Sequence, residues 1–225
     1  DALGVHLDNV IPSLDSAGLK GTFYLTASFP TCKARMNDWR KAAINGHELG
    51  NHTLYHPCIG NTPGREWIKG ERDLSKYSLR RMTDEIRMTN TFLTALDGKS
   101  VRSFAYPCGD QHVGAGVSYV DAIKTDFVAA RGVTGKVMQL KDIDLFNVHA
   151  YVVNGQRGDE LIAIVKQAME QKGFVVFLFH GVGGEHDMNV SLGAHAQLVH
   201  FLKENEKDIW VAPFVEICQL VSRKQ

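Results

Sequence analysis

The chain has 225 residues, with 25 Lys plus Arg balanced by 25 Asp plus Glu. Zero formal charge gives no electrostatic reason to expect nucleic acid or an anionic membrane as partner, and no apolar run is long enough to span a bilayer. Hydrophobic residues at 44% exclude a disordered chain, and a length that buries roughly 70–75% of the unfolded surface needs neither metal nor disulfides merely to fold.

In chain order, Leu3, Leu7, Val10, Ile11 and Leu14 recur at helical spacing, and Gly18 suits the end of that helix. Residues 19–27 (LKGTFYLTA) read as a buried strand. Asp38 is placed to cap a helix that stops at Gly46, and 47–53 (HELGNHT) is a short strand ending in histidine. Residues 58–80 form a long polar loop with Trp67 and Tyr77 embedded in it, and loops of that length are usually functional or disordered. The stripe Met82, Ile86, Met88, Phe92, Leu93, Leu96 predicts a core-facing helix ending at Gly98. Strand 101–107 (VRSFAYP), a helix over 117–126, and strands 127–133 and 144–153 follow. A helix over 161–173, the apolar strand 174–181 (FVVFLFHG), a helix over 194–208 and an apolar C-terminal segment complete the chain. Strand–helix alternation without a linker predicts one α/β domain with a mostly parallel sheet.

In such folds the site is built at the C-terminal ends of the strands. Three segments meet that rule: His52 and His56, Pro107–Cys108–Gly109, and His180. If 52–56 makes one helical turn, the two imidazoles share a face and can bind one cation; the alternative is two unrelated polar histidines. His180 opens into a glycine-rich loop and suits acid–base chemistry, although a strand-end histidine is also commonly structural. Arg131 lies in an apolar strand and calls for a carboxylate partner, in a structural ion pair or in a site. Trp67 and Tyr151 sit in or beside loops expected at the same end, where aromatics stack on sugars or pack a loop down. Cys32, Cys58, Cys108 and Cys218 lack C-x-x-C spacing and do not decide between free and paired thiols, and no signal peptide is recognisable at the start.

GTFYL at 21–25, GHELGNHTLYHP at 46–57, SFAYPCGD at 103–110 and FVVFLFHG at 174–181 together resemble the polysaccharide deacetylases, carbohydrate esterases related to the nodulation-factor deacetylase. The resemblance covers nearly the whole chain. It implies a distorted (β/α) barrel with fewer than eight strands, formed by a single catalytic domain over 1–225 that lacks its first strand. It further implies a divalent metal, zinc first with cobalt or nickel able to replace it, held by Asp1, His52 and His56. In the family an early strand ends in two aspartates, a base and a ligand. Asp1 aligns with the ligand, which places the base upstream. His180 (Leu178-Phe179-His180) matches the general acid. Ala105 and Cys108 stand where the family has Arg-x-Pro-Tyr, so the Cys108 backbone N–H becomes the oxyanion donor and Arg131 is expected to supply the arginine from the next strand. Tyr106, Trp67 and Tyr151 are the expected sugar contacts. The implied substrate is an acetylated oligo- or polysaccharide, de-N-acetylated at N-acetylglucosamine, with de-O-acetylation of xylan or an impaired sugar-binding relative as alternatives. A secreted or periplasmic location follows by family analogy.

Overall fold

The computed structural model describes residues 1–224. Ten short strands are formed: β1 (Thr22–Leu25), β2 (Glu48–Asn51), β3 (Phe104–Ala105), β4 (His112–Val113), β5 (Val117–Ser118), β6 (Ala130–Arg131), β7 (Tyr151–Val152), β8 (Phe177–Leu178), β9 (Gly181–Val182) and β10 (Asn189–Val190). The main sheet runs β1-β2-β3-β6, all parallel. A parallel bridge from Arg131 to Val148 and the parallel pair β7–β8 carry the same winding onward. Six successive segments therefore wind in chain order with helices between them, as an incomplete barrel whose free edges are β1 and β8. This is the distorted α/β barrel expected from the sequence.

The helices follow from local chemistry. The first keeps its predicted face but is widened over His6–Val10, because Pro12 has no N–H to give to Asp8 and the Ile11 N–H reaches back to His6 instead. After a short helix at Pro30–Ala34, a helix spans Met36–Ile44, three residues earlier than a cap at Asp38 predicts; the Asp38 carboxylate is engaged by Arg35 at 3.0 Å. Leu79–Asp97 runs as predicted, capped by the Ser78 hydroxyl and stopped by Gly98 at φ 72°. Met88 departs from the predicted core stripe and is exposed. The helix predicted over 117–126 shrinks to Val120–Ile123, because 117–118 pair with 112–113 as a hairpin.

One end of the barrel is sealed by Glu48, the first residue of β2. Its buried carboxylate accepts from the Thr22 hydroxyl, the Ser103 N–H and hydroxyl, and the Val215 N–H at the start of the last helix. With every lone pair direction used, this carboxylate is a structural anchor. The chemistry is left to the opposite end.

Candidate active site

β2 delivers His52 at its C-terminal end, but the following residues do not make the helical turn predicted from the H-x-x-x-H spacing. Thr53 and His56 take φ of 68° and 54°. The Asn51 side chain accepts from the Thr53 N–H and the Thr53 hydroxyl from the His56 N–H, which holds this unusual turn closed. The rings still converge, edge to face with centroids 4.7 Å apart. His52 Nδ1–H donates to the Ala105 carbonyl at 2.7 Å, which fixes the tautomer and leaves the Nε2 lone pair for a cation. Burial first, then the positive terminus of Asp1, holds the His52 imidazole far below its ordinary range and brings His56 down to about 3. Both rings are neutral at physiological pH, as ligands must be.

Asp1 completes the set. Its Oδ1 lies 3.5 Å from His56 Nε2, and ligand atoms of Asp1, His52 and His56 all fall within 4.8 Å of one another. Two neutral imidazoles and one carboxylate suit a borderline divalent cation with open positions. The Asp1 α-ammonium donates to the Tyr24 carbonyl at 2.9 Å, as a strand amide would, and burial followed by the nearby Arg131 pushes it down to about 5.

His180 follows β8, and burial, then the Asp1 ammonium, bring its imidazole down to about 3. Its Nδ1 is buried without a partner among the described residues. His186, in the loop after β9, stacks on it with centroids 4.6 Å apart and planes 25° from parallel. His6 Nε2 donates to the His180 carbonyl at 2.8 Å and ties the first helix to this strand.

Arg131 sits directly across from Ala105 in the β3–β6 register. It is buried, donates to the Gly132 carbonyl, lies 5.1 Å over the Tyr24 ring, and has no carboxylate partner among the described residues. The carboxylate partner called for by the sequence is not found among the described residues. Desolvation lowers the guanidinium to about 10.

Cys108 is bonded to Cys58, the pairing the sequence left open, while Cys32 and Cys218 are free and buried. The disulfide ties the 58–80 loop to the turn after β3, where Cys108 has φ 55°. Arg65 reinforces the tie through Asp110 at 2.6 Å and the Cys108 carbonyl at 3.1 Å.

Of the aromatics, Trp67 is 60% exposed and its ring lies 6.4 Å from that of His56. Tyr106 does not reach the site: its side chain is fully buried among Phe104 and Tyr119, and its hydroxyl donates to the Phe146 carbonyl. The sequence expectation of a sugar contact there is corrected by strand alternation, which turns Tyr106 into the core. Tyr151 is half-buried against Phe177 and beneath Gly135, with no contact to the imidazoles among the described residues. His186, Arg65 and the disulfide escaped the sequence reading, because each is defined by a contact across long sequence separation.

A groove of about 270 Å³ opens between β1 and β8, lined by Phe23, Phe177, Leu198 and Phe214 and ending at Asp1, His52, Arg131 and His180. The fold and its histidine–carboxylate cluster define an open α/β barrel with a site suited to one divalent cation. The chain belongs to the polysaccharide deacetylase family, whose model matches residues 3–120. A curated relative, the uncharacterized protein YlxY of Bacillus subtilis (strain 168), is 27% identical over 104 residues, 46% of this chain and 27% of that protein. The chain thus matches about a quarter of that relative's length. Among solved structures, the peptidoglycan deacetylase PdaC from Bacillus subtilis (a D285S mutant) aligns with TM-score 0.54 and 14% identity over 100% of this chain and 88% of that one. A family 4 acetyl xylan esterase from Clostridium thermocellum, in complex with a cobalt ion, gives 0.55 and 17% over 100% and 93%. BA3943 from Bacillus anthracis, described as a CE4 family pseudoenzyme, gives 0.55 and 18% over 97% and 62%. At these identities the likeness is one of fold.

Proposed function

We propose that this protein removes acetyl groups from an acetylated carbohydrate, with N-acetylglucosamine in an oligo- or polysaccharide as the substrate unit and zinc as the metal. The observation that carries the reading is the convergence of Asp1, His52 and His56 with His180, Arg131 and the Cys108 turn at one end of the barrel.

Asp1, His52 and His56 hold the cation. When bound, a divalent ion supplies Lewis-acid polarisation of the acetyl carbonyl and a water of lowered pKa. The Cys108 N–H, held by the left-handed turn, donates to the carbonyl oxygen as it gains charge. His180 delivers a proton to the departing nitrogen, a step an amide needs more than an ester. The base is an aspartate carried by a strand that runs into Asp1 and fills the groove between β1 and β8. Two features support that placement: two free strand edges facing each other, and a buried arginine with no carboxylate partner among the described residues. Burial is the leading cause of the low His180 value, and a carboxylate beside Arg131 would offset the part that neighbouring positive groups add to it. Trp67, exposed beside His56, is the sugar platform. The Cys58–Cys108 disulfide supports an oxidising, extracytoplasmic location.

The test is acetate release from chitooligosaccharides, peptidoglycan and acetylated xylan, using the polypeptide with its residues upstream of Asp1 included. Release should vanish on chelation, return with zinc or cobalt, and be lost in His52→Ala. His180→Ala should lose roughly 10²–10⁴-fold on N-acetyl substrates and distinctly less on O-acetyl ones. Stoichiometric metal with no acetate from any of the three would favour the impaired sugar-binding relative and overturn the enzymatic reading.

A further inference from the structure

His186 lies outside every motif quoted above, yet it reaches the centre of the site from the loop between β9 and β10. Gly183, Gly184 and Glu185 all have positive φ (78°, 137° and 64°), and this unusual path folds the loop back over His180. The ring is then fixed twice. Its face stacks on His180 at 4.6 Å, and its Nδ1 accepts the Met188 N–H at 3.0 Å. A neutral imidazole that accepts at Nδ1 carries its proton on Nε2. That Nε2 faces the outer oxygen of Asp1, Oδ2, at 3.8 Å, while Oδ1 faces His56.

We infer that His186 is a positioning residue: its Nε2–H, aimed by Met188, holds the outer oxygen of Asp1 so that the inner one stays turned to the cation, and its ring buttresses His180. This role rests on Asp1 being a metal ligand, as proposed above. A separation of 3.8 Å is within electrostatic reach and beyond direct hydrogen bonding, so His186 steers the carboxylate rather than clamping it. Asp1, His180 and His186 are also close enough together to suggest a second cation site. The tautomer argues against it, because the nitrogen facing Asp1 bears the proton and is a donor, not a ligand. Outer partners of ligating groups commonly affect metal affinity by 10–100-fold.

The experiment is titration of the metal-free chain with cobalt alone, reading its absorption spectrum and bound stoichiometry, for wild type, His186→Ala and His186→Gln. Gln places an amide N–H where the imidazole had Nε2–H, but it is a poor substitute for a nitrogen ligand. The expected result is one cobalt per chain in all three, with dissociation constant raised roughly 10–100-fold in His186→Ala and largely restored in His186→Gln. Equal affinity in wild type and His186→Ala would overturn the role of His186 and leave the metal site standing. Two cobalt ions in wild type falling to one in both variants would overturn it in favour of a ligand. Failure of the wild type to bind cobalt would overturn the metal site and this role together.

Discussion

Arg131 shows what a single residue at this site costs and contributes. A guanidinium buried on β6, with one carbonyl as its hydrogen-bond acceptor and an aromatic face beside it, has lost its water without gaining an anion. Such a group destabilises the fold it belongs to, and strain of this sort is retained where function needs it. Arg131→Met keeps the length of the side chain and removes the charge. The 225-residue chain should therefore become more stable, by about 1–4 kcal/mol in urea unfolding, the range seen when buried ionic groups give way to apolar ones of similar volume. Acetate release by the polypeptide that carries the base should fall at least tenfold. A variant that is destabilised would show that Arg131 has a partner in this chain after all. The sequence marks Arg131 as odd, since it interrupts an apolar strand. It does not mark the neighbour: only the parallel register puts Arg131 beside Ala105. The same limit explains Tyr106, where one step along β3 decides between site and core.

Elements recognisable from local pattern are found nearly where the sequence puts them. β1 and the helix Leu79–Asp97 carry their own signals: a run of β-forming residues in the strand, a capping serine and a terminal glycine around the helix. The segments that differ are those decided by partners far away, such as the 112–118 hairpin, or by a backbone turn without a periodic signature, such as 52–56. The long 58–80 loop belongs to the second kind. It looks irregular in sequence, and in the structure it is fastened at its root by Cys58–Cys108 and by Arg65 on Asp110. Cys58 is two residues from His56, and Cys108 carries the N–H proposed above as the oxyanion donor, so one covalent bond ties these two turns together. The bond spans 50 residues, for which closure entropy gives roughly 4 kcal/mol. The double variant Cys58→Ser/Cys108→Ser should lose about 2–4 kcal/mol in chemical denaturation. Wild type treated with a dithiol reductant should lose the same amount, whereas the variant should be insensitive to it. Unchanged stability in both would mean that Arg65 and Asp110 alone fasten the loop.

At the scale of the whole molecule, the buried bases set how stability depends on pH. His6 and His195 lie in apolar surroundings that bring them from 6.5 to about 4, burial being the leading cause in each. The Asp1 ammonium is brought from 8.0 to about 5. All three are bases whose folded pKa is depressed, so the unfolded chain binds more protons between the two values and stability rises with pH there. For the histidines the gain is complete above about 6.5 and is lost on the way down to about 4, each contributing roughly 3 kcal/mol. For the ammonium the window extends to pH 8, and its residual penalty at pH 7 is about 1.4 kcal/mol. Acetylating the Asp1 nitrogen turns the ammonium into an amide, which keeps an N–H for the Tyr24 carbonyl and drops the charge. The metal-free chain should show a urea midpoint still climbing from pH 6.5 to 8. Its N-acetylated form should be more stable at pH 7 and flat over that same interval, while below 6.5 both weaken, the unmodified chain more steeply down to about pH 5. A climb that survives acetylation would place its origin in some other base. A flat unmodified chain would mean that the Asp1 nitrogen is solvated rather than buried against the Tyr24 carbonyl.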